Sequence, residues 1–218
     1  MKPFSWSYSL LSAFEQCPKR AWHTRIAKDV REEESESLSW GNEVHKALHE
    51  RVGRGKPLPL GVRHLEAVCT ALERAPGKIY TEQKMAITAD FKPCDWFAKT
   101  TWCRTIIDFG AHDGSSMFIA DYKTGKIKDD DGQLALCAGV IMAHMPEVAT
   151  VRSAFIWLRD GAVSHKTYTR AELPALWNSL LPRVERLQRA YKLTEFETRP
   201  GGLCRRYCPV RSCPHYGG

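Results

Sequence analysis

The order of the hydrophobic patterns constrains the fold of this chain more than any other feature. Strand-like alternation predicts β-strands at residues 79–88, 101–109, 117–123, 151–158 and 162–168. A mostly apolar stretch of helical length, GQLALCAGVIMAH at residues 132–144, separates the third predicted strand from the fourth. Strands on both sides of one apolar helix predict a central mixed β-sheet flanked by helices, in the α/β (α+β) class.

Helical patterns occupy both ends of this central region. We predict helices at residues 10–16, 20–26, 40–49 and 62–75, and a capping box of Thr169 and Glu172 opens another that runs to about Tyr191. A chain of 218 residues can bury one core without disulfides. We therefore predict one domain over 1–218, with its core at 79–168 and an acidic loop or insertion at 28–38, which contains Glu32, Glu33 and Glu34.

Net charge and hydropathy narrow the choice of partners. The formal net charge of +7 and the isoelectric point of about 9.0 favour a polyanionic partner. No apolar stretch approaches the roughly 18 residues that a membrane helix needs. The first residues, with one lysine and a short apolar run broken by serines, make a poor signal peptide. These features predict a cytoplasmic protein with no membrane association.

Two of the predicted strands end in an aspartate, and one of them also carries a lysine. Ile106-Ile107 runs into Asp108, and the segment IADYKTGK at residues 119–126 places Asp121 two positions before Lys123. Side chains two apart in a strand share a face, and Mg²⁺ typically takes one or two protein carboxylates. The pattern indicates a metal site beside a catalytic ammonium, although the polar end of a hairpin would look similar.

The cysteines fall into two groups. Four of the eight are scattered among apolar neighbours, and the others are Cys17 and a C-terminal trio, Cys204, Cys208 and Cys213. Disulfides are rare in cytosolic proteins, so the trio with Cys17 indicates ligation of a metal or cluster. Four thiolates can hold a [4Fe–4S] cluster or a Zn²⁺, in which His215 could replace one cysteine. Four unrelated free cysteines remain the alternative.

Taken in order, these residues resemble the PD-(D/E)xK nuclease superfamily, and within it the RecB-like exonucleases, which include CRISPR-associated adaptation nucleases. The resemblance is carried by SYS and CPKR within residues 7–20, the G-x-x-x-H of Gly41 to His45, Asp108, DYKTG at 121–125, Gln133 and the cysteine tail. It implies a restriction-endonuclease-like core with N-terminal helices and a C-terminal cysteine-rich tail.

The resemblance also implies a role for each matching position. Asp108, Asp121 and Lys123 would be catalytic, with Lys123 activating the attacking water. Mg²⁺ or Mn²⁺ would be bound by His45, both aspartates and the backbone carbonyl of Tyr122. Gln133 would contact DNA or Lys123, and Glu82 would be an accessory acid.

The resemblance favours an iron–sulfur cluster over zinc for the four cysteines. The cluster would clamp residues 199–218 to Cys17, and Arg205 and Arg206 beside the cluster would contact DNA phosphates. The chain departs from the family pattern in three places. Its tail reads C-x₃-C-x₄-C where relatives commonly show C-x₂-C-x₅-C, Cys137 stands where a tyrosine is typical, and Thr105 stands where a glycine is frequent.

The function implied is that of an enzyme, a Mg²⁺- or Mn²⁺-dependent deoxyribonuclease. It would act as an exonuclease on single-stranded DNA or duplex ends, in recombination, repair or phage DNA processing. The alternatives are a structure-specific endonuclease on the same fold and a catalytically inactive, cysteine-clamped DNA-binding module. The implied partners are DNA and either further copies of the chain or a recombination or helicase protein.

Overall fold

The computed structural model describes residues 3–32, 35–128 and 130–217. The chain divides into two compact units, one formed by Met1–Glu34 with Asn178–Gly218 and the other by Ser35–Trp177. The first is largely helical and contains the cysteine tail. The second contains the whole sheet, so the prediction of a mixed α/β sheet flanked by helices is confirmed.

The sheet of the second unit has six strands in the order β2-β1-β3-β4-β5-β6. Only β4 and β5 pair in parallel, because the helix Gly132–His144 connects them as a crossover, and the other neighbours are antiparallel. The strands are β1 Lys78–Ile87, β2 Pro93–Cys94, β3 Cys103–Asp113, β4 Ser116–Lys123, β5 Thr150–Trp157 and β6 Ala162–Thr169. Five of them match the predicted strands, and β2 was not predicted.

The sheet opens into a fork between β3 and β4. The last paired residues toward the open end are Phe109 and Ala120. The next position on each strand carries an aspartate, Asp108 on β3 and Asp121 on β4. The backbone N–H of Tyr122 donates to the Asp108 carboxylate at 2.9 Å, where a continued ladder would have used a carbonyl. The fork therefore brings both predicted aspartates to one edge of the paired region.

The helices of the second unit pack on this sheet. They are α3 Glu36–Arg54, α4 Glu66–Glu73 after a 3-10 turn Leu60–Leu65, and α5 Gly132–His144. On α3, Val44 and Leu48 are buried in a cluster with Phe109 and Tyr122 from the strands of the fork. Ser35 caps α3 by accepting from the backbone of Leu38. The last residues of the predicted acidic loop at 28–38 are therefore the first turn of a helix, while Glu33 and Glu34 lie outside the described residues.

The first unit is held by contacts between its two chain segments. It contains α1 Tyr8–Gln16, α2 Pro18–Ala21, a π-helical turn Trp22–Ile26, α7 Leu203–Arg206 and the later part of α6 Leu173–Leu193. Arg183 makes a bidentate ion pair with Glu15 at 2.7 Å, and Trp22 stacks on Phe196 at 4.6 Å between centroids.

Two further predictions concern the helices. The capping box of Thr169 and Glu172 is present at the turn that leads into α6, as predicted. Among the described residues, no helix has the length and apolar character needed to cross a bilayer.

Candidate active site

A histidine, a glutamate and an aspartate converge beside the fork. His45 on α3, Glu82 on β1 and Asp108 on β3 each offer one ligand atom, and these atoms lie within 4.8 Å of one another. Nδ1 of His45 is 3.3 Å from Oδ2 of Asp108. The Nε2–H of the same ring donates to the Tyr122 carbonyl at 3.0 Å. The atoms that the resemblance assigned to metal binding on His45, Asp108 and Tyr122 are thus already together.

Glu82 enters this group through an unusual backbone conformation. Its φ is +51°, a left-handed value in the middle of β1. Pairing with β3 is regular on both sides and is interrupted only at this position, which lies opposite Asp108. A non-glycine residue in this region costs on the order of 1–3 kcal/mol. The surrounding ladder imposes this strain at a candidate functional residue, and no motif in the sequence could indicate it.

Asp121, Lys123 and Gln133 form a second set of contacts at the same fork. Nζ of Lys123 lies 2.5 Å from Oδ2 of Asp121 and donates to Oε1 of Gln133 at 2.8 Å. The amide nitrogen of Gln133 donates to the other Asp121 oxygen. The ammonium also lies 4.9 Å from the centre of the Phe155 ring. Gln133, near the start of α5, therefore bonds to both Asp121 and Lys123, and these contacts hold the Lys123 side chain in place.

Burial and neighbouring negative charges raise the pKa values of two carboxyl groups at this site, as expected where a cation binds. Burial raises the pKa of Asp121 to about 6, the Asp108 carboxylate adds to the rise, and Lys123 opposes it. Burial and Asp108 also raise the pKa of Glu82. Burial lowers the pKa of His45, but the hydrogen bond and charge of Asp108 outweigh it, so this pKa is raised overall. Hard oxygen donors crowded together, with one imidazole, suit a bound Mg²⁺ or Mn²⁺.

Asp121→Asn is expected to stabilise the metal-free protein at pH 7.5. The pKa of Asp121 is raised from 3.8 to about 6 in the folded state, so the fold loses stability as the pH rises from about 4 to 6. A shift of about two units corresponds to about 3 kcal/mol, and asparagine resembles the protonated form. Chemical denaturation in EDTA at pH 4 and pH 7.5 should show the variant equal to wild type at pH 4 and more stable at pH 7.5.

Mn²⁺ should reverse this order, because it binds the folded wild type through the ionised carboxylates. Asp113→Asn is the matched control, since Asp113 is an exposed aspartate at the far end of β3. Mn²⁺ should stabilise this variant as much as it stabilises wild type, because Asp113 is not among the proposed ligands. A difference between Asp121→Asn and wild type that is independent of pH and of Mn²⁺ would contradict the assignment of Asp121.

The four predicted cysteines line one pocket of the first unit. Cys17, at the end of α1, and Cys204, Cys208 and Cys213 of the tail face it together with His215. Arg205 and Arg206 are exposed on α7 next to Cys204. In the second unit Cys69, Cys103 and Cys137 are buried, as core cysteines should be. Burial raises the pKa of Cys69 to about 11 and that of Cys137 to about 12, which keeps both as neutral thiols.

Two observations at the site were not foreseen from the sequence. Two of the three departures from the family pattern contact each other, because Thr105 Oγ1 lies 3.2 Å from Cys137 Sγ in the buried contact between β3 and α5. His49 follows His45 by one helical turn, and its charge lowers the pKa of Glu82. The i, i+4 spacing of the two histidines was the one signal that could have indicated His49.

The comparison with protein families decides what this site belongs to. The family model of the PD-(D/E)XK nuclease superfamily matches residues 5–109 and 104–214. The chain belongs to this superfamily. PD-(D/E)XK nucleases use divalent metals and act on nucleic acid, and the residues His45, Glu82 and Asp108 form a group that could hold such a metal.

A solved structure supports the same fold for this PD-(D/E)XK nuclease. A protein from Eubacterium rectale described as "Putative exonuclease" superposes with a TM-score of 0.56 at 15% identity, covering 92% of this chain and 85% of that one. The structure named SSO0001 gives a TM-score of 0.49 at 11% identity, over 99% of this chain and 88% of that one. No curated protein sequence matches significantly. At these identities the likeness concerns the fold alone.

Proposed function

We propose that this PD-(D/E)XK nuclease is a metal-dependent DNA exonuclease that hydrolyses single-stranded DNA or duplex ends. The observation that carries the proposal is the fork between β3 and β4. There Asp108 and Asp121 follow the last paired residues of their strands. His45 and Glu82 lie beside Asp108, and Lys123, held by Gln133, lies beside Asp121. An inactive DNA-binding module would have no use for a buried aspartate that is paired with a half-buried lysine.

The proposed roles follow from these contacts. His45, Asp108, Asp121 and the Tyr122 carbonyl would hold the Mg²⁺ or Mn²⁺, with Glu82 as a further oxygen donor. When bound, the cation supplies Lewis acidity toward the scissile phosphate and increases the acidity of a coordinated water. Lys123 orients the attacking water and offsets negative charge that develops on the phosphate. Gln133 keeps the Lys123 ammonium directed at the fork.

The proposal extends to the cysteine pocket, in which a [4Fe–4S] cluster would join Cys17 to the tail. Four thiolates around one Zn²⁺ would lie about 3.8 Å apart, given Zn–S bonds of about 2.3 Å. A cube of four irons separates its cysteine ligands more widely than a single ion does, so the two groups need different spacings of the same four sulfurs. The family resemblance favours iron–sulfur over zinc, and the four cysteines share one pocket. Arg205 and Arg206 would contact backbone phosphates nearby.

The setting that suits such an enzyme is cytoplasmic DNA recombination, repair or phage DNA processing. No part of the proposed site unwinds a duplex, so extensive degradation of duplex DNA would need a helicase partner or assembly into an oligomer. These assignments depend on the proposed nuclease activity, and they would be wrong if that activity were absent.

A comparison of linear and circular substrates tests the proposed function. Purified protein with Mn²⁺ is expected to shorten an end-labelled single strand progressively and to leave a closed single-stranded circle of the same sequence intact. EDTA should abolish the reaction. Cutting of the circle would replace the exonuclease with the endonuclease alternative, whereas no cleavage of either substrate with any divalent cation would leave only the inactive binding module.

A further inference from the structure

The loop between β2 and β3 displays an aromatic side chain on a rigid support. Phe97 is 87% exposed, more than any other large hydrophobic side chain of the described residues. The loop behind it is fixed by hydrogen bonds. The Thr101 hydroxyl donates to the Asp95 carbonyl at 2.9 Å, and the backbone N–H groups of Ala98 and Thr101 close two turns. Since the backbone is already ordered, a ligand that contacts Phe97 would not have to order this loop.

Two cations flank the neighbouring tryptophan. Nζ of Lys84 lies 5.7 Å from the centre of the half-buried Trp96 ring, and the Arg104 guanidinium lies 5.8 Å from it. Arg104 also donates from Nε to the Trp96 carbonyl at 2.7 Å. Together with the exposed Ile106, these residues form a surface that we call the strand platform: Lys84, Trp96, Phe97, Arg104 and Ile106.

The strand platform adjoins the candidate active site along β3. Arg104 and Ile106 alternate on β3 with the buried Thr105 and Ile107, so these two share a face, and Asp108 follows two residues later on the same strand. Lys84 is paired directly opposite Ile106, as Glu82 lies opposite Asp108. At about 3.4 Å per residue, Arg104 is about 14 Å from Asp108 along the strand. That distance corresponds to about four stacked nucleotides.

The charge around the strand platform suits a polyanion. Lys84 is exposed, and Lys92 and Lys99 are exposed on the segments that flank the loop. With Arg104 they outnumber the two exposed acids of the same segments, Asp90 and Asp95. Basic side chains interleaved with aromatic rings are the combination that holds single strands, because phosphates meet the cations and bases stack on the rings.

We propose that the strand platform binds single-stranded DNA and guides it to the fork between β3 and β4. This inference rests on the proposed nuclease function and adds the path of the substrate. Bases stack on Phe97 and Trp96 while Lys84 and Arg104 contact phosphates. The platform selects unpaired bases, since the bases of a duplex are already stacked on one another.

Binding measurements in a cleavage-deficient background test the proposal. Fluorescence anisotropy of a labelled 12-nucleotide strand on Lys123→Met protein should show that Phe97→Ser weakens binding about tenfold. Lys84→Gln should weaken binding and reduce the slope of log K against log salt by about 0.7. Leu60→Ser is the matched control, because Leu60 is also an exposed apolar residue, at 80%, but lies on the 3-10 turn before α4.

The possible outcomes separate the platform from the nuclease. Unchanged affinity in Phe97→Ser and Lys84→Gln, with metal-dependent cleavage by wild type, would overturn the platform alone. An equal loss in Leu60→Ser, or an equal loss on a blunt duplex, would also overturn it. Failure of wild type both to bind a strand and to cleave one would overturn the platform and the proposed function together. Circular dichroism of each variant checks that it is folded.

Discussion

Replacing Lys123 with methionine is expected to lower the rate of phosphodiester cleavage by about 10³-fold or more. The side chain is half-buried, and its ammonium contacts both Asp121 and Gln133. Methionine keeps the length and apolar stem of lysine but removes the charge that would orient the water and offset charge on the phosphate. Single-turnover cleavage of an end-labelled strand at saturating Mn²⁺ would measure the loss.

Lys126→Met provides the matched control for this prediction. Lys126 carries the same charge three residues later but is exposed beyond the end of β4. Its rate should stay within a few-fold of wild type, and Asp121→Asn should be as impaired as Lys123→Met. If Lys123→Met retained more than a tenth of the wild-type rate, or if Asp121→Asn cleaved normally, the proposed roles of these residues would be wrong.

If the proposed cluster is present, replacing Cys17 with serine is expected to remove it and to unfold much of the first unit. Cys17 is the only predicted ligand from the N-terminal segment, so the bound group would be the covalent link between that segment and the tail. Metal binding at structural cysteine sites contributes on the order of 10 kcal/mol to folding. Anaerobically purified wild type should be brown and contain about four irons per chain, as a [4Fe–4S] cluster requires. Cys17→Ser should be colourless and sensitive to proteolysis within residues 1–34 and 178–218.

Cys94→Ser is the control for the cysteine prediction. Cys94 is also half-buried, but it lies in the second unit, where its sulfur contacts the Thr101 hydroxyl. Its iron content and spectrum should equal those of wild type. Stoichiometric zinc without a visible spectrum would replace the iron–sulfur cluster with a zinc site, and wild type with neither metal would leave four free cysteines.

The order of the central elements could be predicted because local periodicity encodes it. The apolar stretch at 132–144 became α5 with both ends as predicted, since Asp131-Gly132 and Met145-Pro146 bound it. The start of α3 was missed because its first turn lies in an acidic run that resembles a loop. The cap supplied by Ser35 overrides that composition. The strand β2 was missed because two residues carry no period, and only pairing with β1 defines it.

The candidate site was predictable where its residues follow from strand spacing. Asp121 and Lys123 are two apart, and they do contact each other. Glu82 was carried only by the family resemblance. What brings it next to His45 and Asp108 is a left-handed backbone conformation that the pairing of β1 with β3 enforces. The platform residues Trp96 and Arg104 are eight positions apart in the sequence and belong to no recognisable motif. The conformation of the loop brings them together.

The sequence by itself determined the mixed sheet, the two aspartates, the lysine and the grouping of four cysteines. The sheet, the aspartates, the lysine and the C-terminal cysteine trio follow from residue type and short-range spacing. Cys17 was grouped with the trio by residue type alone. Only the tertiary structure decided that β3 and β4 separate at Asp108 and Asp121, that Gln133 holds Lys123, and that Glu82 joins His45 and Asp108 in one group of possible metal ligands. These features depend on which strands pair and where pairing stops. Strand pairing is decided by competition among contacts between residues far apart in the sequence, so no short segment of the sequence can reveal it.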